Sequence, residues 1–206
     1  MRSLLFLAVL FAVPALGIAQ EAKGKGGEHR DSINKQFEDP NMDVSSFIKR
    51  FESESREVFN KRVELIAACE LKSGMTVADL GAGTGYLEPH LARAVGPGGQ
   101  VLAIDVEPSM VEWMRARFAR EGLANVRVSL CLLTDPLLPE ASVDRIVVVD
   151  TYHHLPDRTL YATRIARALR VGGAVFVVDF DAASSMGPPK DHRVAPEVVR
   201  AELASA

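Results

Sequence analysis

Short apolar runs alternate along this chain with segments in which apolar residues recur every three to four positions. The runs have the length of buried strands, and the recurring positions have the spacing of one helix face. Strands that alternate with helices predict an α/β protein with a parallel, doubly wound sheet, helices on both faces and ligands at the carboxyl ends of the strands. The predicted strands are Thr76–Leu80, Gln100–Asp105, Val126–Leu130, Arg145–Val149 and Ala174–Phe180.

Helices are predicted between these strands. Apolar residues at i, i+4 and i+8 form a stripe that packs on the sheet. Trp113 and the methionines near it are interpreted as core residues rather than as a stacking site for a base. The predicted helices run through Leu87, Leu91 and Val95, through Met110, Met114 and Phe118, from about Asp157 to Arg170, and from Asp191 to Leu203.

A polar interruption divides the apolar pattern before the first strand. Ser45 is a typical helix cap, and the apolar positions after it continue to Ile66 and stop at Gly74. The segment Glu52–Glu57 is polar enough to break this helix in two. We interpret residues 45–74 as a lid over the ligand site.

The first residues have the features of a secretory signal peptide. Arg2 supplies a positive start, Leu4–Ala15 is almost purely apolar, and small residues at Gly17 and Ala19 offer a cleavage site. The apolar run is shorter than the roughly 20 residues of a membrane span, so we predict that residues 1–19 are removed from a secreted or periplasmic protein. An uncleaved signal that anchors the protein in a membrane is the alternative.

Polar, glycine-rich sequence follows the signal. Residues 20–44 are predicted to be a flexible linker without a fold of its own. One globular domain over residues 45–206 fits a chain of 206 residues that is 48% hydrophobic and 25% charged. The net charge of −3 provides no basic field for nucleic acid. Cys69 and Cys131 are interpreted as buried hydrophobes, since a disulfide would need the fold to bring them together.

A glycine-rich turn stands directly after the first strand. Gly81, Gly83 and Gly85 let the backbone turn tightly and approach a ligand closely. The helix that begins near Tyr86 would point its unpaired amides at an anion there, which predicts a nucleotide-like ligand. The spacing G-x-G-x-G departs from the G-x-G-x-x-G of dinucleotide sites, and this argues against NAD.

Two acidic residues stand at the ends of the first two strands. Asp79 precedes the glycine turn, and Asp105 follows Gly85 at about the 20-residue distance at which such units place a ribose-binding acid. The turn contains no lysine or arginine, so it suits pyrophosphate poorly. S-adenosylmethionine fits better, because it offers a ribose to Asp105, positive groups that tolerate Asp79, and one carboxylate for the helix N-terminus.

These residues resemble the motifs of the class I S-adenosylmethionine-dependent methyltransferases. The similar segments are Val77–Gly85, Ala103–Asp105, Leu138–Ile146 and Leu169–Asp179, within a resemblance that runs from about Arg56 to Leu203. The resemblance implies a Rossmann-like fold and an enzyme that transfers a methyl group from S-adenosylmethionine. The predicted cofactor-binding residues are Asp79, Gly81, Ala82, Gly83, Gly85, Asp105, Val106, Leu133, Asp135 and Asp150.

The loop after the third strand departs from the family pattern. The family offers an acid to the adenine amino group there, and Asp135 is the nearest carboxylate in this sequence. Asp135-Pro136 could equally be a turn, in which case Leu132 and Leu133 would pack on the adenine beside backbone amides.

Titratable residues follow the fourth strand, beside the expected methyl donor. We predict that Asp150, Tyr152 and His154 are catalytic, with His154 as a general base near its ordinary pKa of about 6.5. The alternative is a loop shaped by the histidines, since methyl transfer needs mainly an in-line approach, and for His153 we favour that structural role. His153, His154 and His192 lack a defined ligand spacing, so no metal site is predicted.

The end of the chain bears on both assembly and function. The family sheet normally continues with two antiparallel edge strands, which this sequence lacks, so we expect a truncated domain or a homodimer that covers the exposed edge. The predicted function is methyl transfer to an unidentified small-molecule acceptor. Because the resemblance implies a cofactor made in the cytoplasm, the export signal keeps a non-catalytic cofactor-binding or interaction protein open as the alternative.

Overall fold

A parallel five-stranded sheet is the centre of the computed structural model, which describes residues 31–37 and 42–206. The strand order is β3-β2-β1-β4-β5, and every neighbouring pair is parallel. This architecture confirms the predicted doubly wound α/β fold. The strands are β1 Thr76–Leu80, β2 Gln100–Asp105, β3 Val126–Leu130, β4 Val143–Val149 and β5 Leu169–Val178.

Helices cover both faces of the sheet. They are α1 Asp31–Asn34, α2 Val44–Phe51, α3 Glu57–Asn60, α4 Arg62–Ala68, α5 Glu88–Val95, α6 Pro108–Glu121, α7 Arg158–Ala168 and α8 Pro196–Ala204. Single 3₁₀ turns occupy Lys35–Phe37, Tyr152–His154 and Lys190–His192.

Alternate residues of the strands belong to two apolar layers, one on each face of the sheet. Val147 of β4 packs in the layer with α4, α5 and α6, whereas its neighbour Val148 packs in the layer with α7 and α8. Both valines are almost fully buried, as expected for a parallel sheet covered on both faces. Trp113 packs against the first layer, and the free cysteines Cys69 and Cys131 are buried, which confirms their interpretation as core residues.

The sheet order creates a crevice at the carboxyl end of β1. This strand pairs with β2 on one side and β4 on the other, so the connections from β1 and β4 leave toward opposite faces. Loops therefore separate at this point, and open α/β sheets bind their ligands there.

The segment before β1 differs in detail from the predicted helix. It forms α2, α3 and α4, and ends at Ala68 rather than at Gly74. Asp43, not Ser45, caps α2, since its carboxylate accepts a hydrogen bond from the Ser45 backbone N–H at 3.0 Å. The polar interruption does break the helix, because Arg56 has an extended backbone at the start of α3.

Part of the predicted linker is folded, which corrects the expectation for residues 20–44. Residues 31–37 form one helical turn and a 3₁₀ turn. Asn34 is buried, and the Phe37 ring packs on Phe47 with centroids 5.5 Å apart. These contacts pack the segment against the rest of the domain and stabilise its folded structure. The expected signal peptide at residues 1–19 lies outside the described residues.

Two boundaries near the fifth strand also differ from the prediction. Helix α7 ends at Ala168 rather than Arg170, and β5 follows it at once and ends at Val178. Gly172 has φ +80°, and the pairing of β4 with β5 shifts register beside it, so the bulge absorbs the extra residues. Within residues 42–206 no further strand extends the sheet beyond β5. No helix among the described residues is long and apolar enough to span a bilayer.

Candidate functional site

A cavity of about 400 Å³ lies at the carboxyl ends of β1, β2 and β4. The strand order gives it two sides. We call the residues at or after the ends of β2 and β3 the β2 side. We call the residues in the loop after β4, and those that pack against this loop, the β4 side. The β2 side includes Asp105, Val106, Met110, Leu132 and Leu133, and the β4 side includes Asn34, Phe37, Arg56, Asp150 and His154.

The glycine turn between β1 and α5 forms the floor between these sides. Gly81 and Gly83 have φ of +77° and +58°, which favour glycine. A Cβ atom on Gly81 would lie 2.4 Å from Thr151 Oγ1, so only glycine lets the loop after β4 approach this closely. Gly81, Ala82 and Gly83 all line the cavity, as predicted from the sequence.

Gly85 has a different role from the one predicted. It does not line the cavity. Its φ is +78°, and a Cβ atom there would lie 2.6 Å from Phe118 Cζ and 3.0 Å from Met114 Cγ. The third glycine of the turn therefore lets α6 pack closely under the loop, and its contacts are with the core rather than with a ligand.

Asp105 is held rigidly at the cavity. One carboxylate oxygen accepts the Gly83 N–H at 2.7 Å, and the other accepts the Glu107 N–H at 2.9 Å. Burial raises the pKa of this carboxyl, and the backbone donors act in the opposite direction. A fixed, buried acceptor that borders the cavity suits the paired hydroxyls of a ribose. Val106, Leu132 and Leu133 add apolar surface suited to a flat base.

Asp79 lines the cavity from the end of β1, with Glu88 behind it. Burial is the main cause that raises the pKa of Asp79 to about 7, and the charge of Asp105 adds to the effect. Glu88 begins α5, is fully buried, and has its pKa raised well above the ordinary value by burial and by Asp79. Sequence reasoning missed Glu88, although an acid among the first residues after a glycine turn was visible.

Asp135 lies away from the cavity. Its carboxylate pairs with Arg164 and accepts the Leu137 N–H at 2.9 Å, and its backbone closes a tight turn with Leu132. The structure thus has the turn that the sequence left open as the alternative. Leu132 and Leu133 are the loop residues that reach the cavity.

Asp150 and Arg56 form a partly buried ion pair on the β4 side. Arg56 Nη2 donates to Asp150 Oδ2 at 2.6 Å, and the Arg56 guanidinium lies 4.7 Å from the Phe51 ring centroid. Burial raises the pKa of Asp150, and Arg56 opposes that rise. Asp150 also has φ +48°, a strained backbone for a residue other than glycine. Arg56 was not among the predicted site residues, since it comes from the distant break before α3.

His154 borders the cavity and is tied to Asn34. Asn34 Nδ2 donates to the His154 carbonyl at 3.2 Å, which turns Asn34 Oδ1 toward His154 Nδ1 at 2.7 Å. Nδ1 must then carry the proton, and Nε2 is the ring's acceptor. Burial, followed by the charge of His153, lowers the pKa of His154 to about 3. This corrects the expected value near 6.5, because the ring is neutral at every physiological pH.

Tyr152 and His153 point away from the cavity. Tyr152 is fully buried, and its hydroxyl donates to Glu202 Oε2 at 3.0 Å on α8. His153 Nδ1 lies 2.7 Å from Asp179 Oδ1, and the His153 backbone N–H donates to the other oxygen at 3.1 Å. The structure therefore does not place Tyr152 among the catalytic candidates, and His153 fastens the loop to the end of β5. No cluster of potential metal ligands occurs among residues 31–37 and 42–206.

The fold and this site define a protein that binds a nucleoside-type cofactor. A family model described as "Methyltransferase domain" matches residues 77–173. The crystal structure of a SAM-dependent methyltransferase from Aquifex aeolicus superposes with a TM-score of 0.68 and 30% identity, covering 74% of this chain and 81% of that chain. The chain belongs to the class I S-adenosylmethionine-dependent methyltransferases, and S-adenosylmethionine is its cofactor.

Curated relatives agree on the domain and differ in their acceptors. Nocamycin O-methyltransferase of Saccharothrix syringae is 33% identical over 58% of this chain and 42% of its own length. The ubiquinone/menaquinone biosynthesis C-methyltransferase UbiE of Cellvibrio japonicus is 31% identical over 56% of this chain and 47% of its own length. The chain thus spans about half the length of these relatives.

Proposed function

We propose that this protein transfers the methyl group of S-adenosylmethionine to a small molecule bound on the β4 side of the cavity. The observation that carries the proposal is that one cavity of about 400 Å³ joins the fixed Asp105 carboxylate to a separate set of aromatic and polar groups. A cavity of this size holds a drug-sized ligand, not a folded protein chain.

The β2 side would hold the nucleoside half of the cofactor. Asp105 accepts the ribose hydroxyls, and Val106 and Leu133 pack on the adenine. Asp79 faces the positively charged amino-acid half. When bound, the cofactor supplies a methyl group on a positively charged sulfur, and the protein's contribution is to align the acceptor and to exclude water.

The β4 side would position the acceptor. His154 is neutral with Nδ1 bonded to Asn34, so its Nε2 can accept a hydrogen bond from an acceptor O–H or N–H. The Phe37 ring, at 5.3 Å from the His154 ring, adds an apolar wall contributed by the N-terminal segment. His154 acts here as an orienting hydrogen-bond acceptor. Its low pKa makes it a weak base, so strong proton abstraction is not assigned to it.

The names of the relatives support a small acceptor. One is named for the O-methylation of nocamycin and another for a C-methylation in ubiquinone and menaquinone biosynthesis. These names differ in the atom that is methylated, and the β4 side carries no feature that selects between oxygen and carbon.

The direct test is an activity screen with methyl-labelled S-adenosylmethionine and fractionated metabolite extracts. We expect S-adenosylhomocysteine to accumulate with a labelled small molecule in one or more fractions. Asp105→Ala is the matched control and should abolish the signal at low cofactor concentration. Cofactor binding without turnover in every fraction would contradict the proposal.

That negative result would favour a second function, a cofactor-binding or interaction protein without turnover. The signal-like pattern over residues 1–19 is the observation behind this alternative. It also supports a proposal on location: the protein is secreted or periplasmic, or is anchored in a membrane if the signal is uncleaved. Cell fractionation with N-terminal sequencing of the mature chain tests it, and a soluble cytoplasmic protein that begins at Met1 would contradict it.

β5 is an edge strand of the sheet, which supports a proposal on assembly, a homodimer that pairs or covers this edge. Sedimentation analysis of the purified chain tests it. A monomer at every concentration would contradict the dimer.

A further inference from the structure

Asp79, which lines the cavity, and Glu88, which does not, form a pair of interacting carboxyl groups. Asp79 is 2% exposed and Glu88 is 0% exposed. Among the described residues, neither oxygen of Glu88 has a partner of good hydrogen-bond geometry, which is unusual for a buried polar group. We propose that Glu88 is a positioning residue that holds a proton against Asp79 in the free protein, so that cofactor binding ionises Asp79 and releases a proton. The inference rests on the proposed binding of S-adenosylmethionine in this cavity.

In the part of the chain that the structure describes, no cation is available to neutralise both groups. Arg117 on α6 is the cation that acts on Glu88. Its guanidinium is already bound to Glu52 at 2.6 Å and Glu121 at 2.9 Å. Two adjacent buried carboxylates repel each other strongly, so at least one of them keeps a proton near neutral pH.

The other ionisable groups near the pair add no positive charge. Asp105 on β2 adds negative charge beside Asp79. Tyr86 in the glycine turn and Cys69 after α4 are neutral, because burial and the nearby carboxylates raise the pKa of each. Burial raises the pKa of Asp79 to about 7 and that of Glu88 well above its ordinary value. Asp79 is therefore the member of the pair that titrates near neutrality.

Cofactor binding shifts this balance in one direction. The cofactor brings an ammonium group and a sulfonium, and both favour the ionised form of the carboxyl that lines the cavity. Asp79 then loses its proton to solvent, while Glu88 keeps its own and donates a hydrogen bond to the Asp79 carboxylate. Below pH 7 the binding of each cofactor molecule should release up to about one proton. The affinity for the cofactor should then fall about tenfold for each unit by which the pH is lowered.

A merely structural Glu88 would not produce these effects. Glu88→Gln is nearly the same size and keeps a donor for the ionised Asp79 carboxylate, so it should retain both proton release and the pH dependence of affinity. Glu88→Leu fills the site but removes the donor, which raises the pKa of Asp79 further. Glu88→Leu should therefore bind ligand more weakly at pH 7, with the pH dependence of its affinity moved to higher pH. Glu112→Gln, on the exposed face of α6, is the matched control and should behave as the unaltered protein.

The experiment is calorimetric titration of the full chain with S-adenosylhomocysteine, which carries the ammonium group without a reactive methyl. Titrations at pH 6.5 in two buffers of different ionisation enthalpy count the protons released. We expect proton release and an affinity that falls below pH 7 in the unaltered protein, in Glu112→Gln and in Glu88→Gln, and the same fall displaced to higher pH in Glu88→Leu.

Binding without proton release, or an unchanged pH dependence in Glu88→Leu, would overturn the inference and leave the proposed function intact. Failure to bind at every pH would overturn both. If Glu88→Leu does not fold, the proton count in the unaltered protein still decides, because binding must release a proton if the pair works as proposed.

Discussion

Replacing Gly85 by alanine should damage the fold rather than the cofactor site. The residue has φ +78°, and a left-handed backbone costs an L-residue about 1–2 kcal/mol. Its Cβ would also lie 2.6 Å from Phe118 Cζ, and overpacking of this kind adds about 1–3 kcal/mol. We expect Gly85→Ala to lower the free energy of unfolding by about 2–5 kcal/mol.

Gly122 provides a matched control for the backbone term. It has φ +68°, at the C-terminal cap of α6, and a Cβ atom there would meet nothing within 4 Å. Gly122→Ala should therefore cost only the backbone term of about 1–2 kcal/mol. The difference between the two variants, about 1–3 kcal/mol, isolates the contact with Phe118.

Urea unfolding of both variants, with and without saturating S-adenosylhomocysteine, is the assay. Phe118→Leu should recover part of the loss when combined with Gly85→Ala, since it removes the ring that the new methyl group meets. Equal stabilities for Gly85→Ala and Gly122→Ala would show that the packing argument is mistaken. So would a Gly85→Ala protein of normal stability that has lost its affinity for the ligand.

Further predictions concern the buried polar groups. The pKa of Glu88 in the folded protein lies above its unfolded value of about 4.3, so the stability that protonated Glu88 contributes is complete below pH 4 and is lost as pH rises. Glu88→Gln should therefore raise the free energy of unfolding by about 1–3 kcal/mol at pH 8 and by less at pH 5. An equal effect at the two pH values would count against this. Tyr152→Phe should lose about 1 kcal/mol of stability, read by urea unfolding, with turnover unchanged; a large drop in kcat would restore a catalytic role. Because His154 stays neutral above about pH 3, the pH–rate profile should show no histidine titration between pH 5.5 and 8, and a step near 6.5 that is absent in His154→Ala would contradict this.

The sequence predicted the parts of the site that are local in the chain. The glycine turn, Asp79 and Asp105 lie at strand ends, and parallel strands bring such ends to one edge of the sheet. Arg56 and Asn34 could not be found in this way. They reach the cavity from the segment before β1 through contacts with Asp150 and His154, and no spacing along the chain records such contacts.

The loop after β4 shows why Tyr152 was wrongly predicted to line the cavity. Tyr152, His153 and His154 form one 3₁₀ turn, in which successive side chains point about 120° apart. One reaches Glu202 on α8, the next Asp179 after β5, and only the third borders the cavity. The sequence placed all three at the right strand end, but the turn that separates them depends on packing against distant elements.

The central claim is that this cavity binds S-adenosylmethionine through Asp105, and calorimetric titration with S-adenosylhomocysteine and with NAD tests it most directly. The account predicts that S-adenosylhomocysteine binds and NAD does not. Asp105→Ala should weaken binding by about 1.5–3 kcal/mol, the scale of a charge-assisted hydrogen bond, whereas Asp135→Ala, away from the cavity, should leave it unchanged. Binding of NAD alone, or equal losses in the two variants, would contradict the claim.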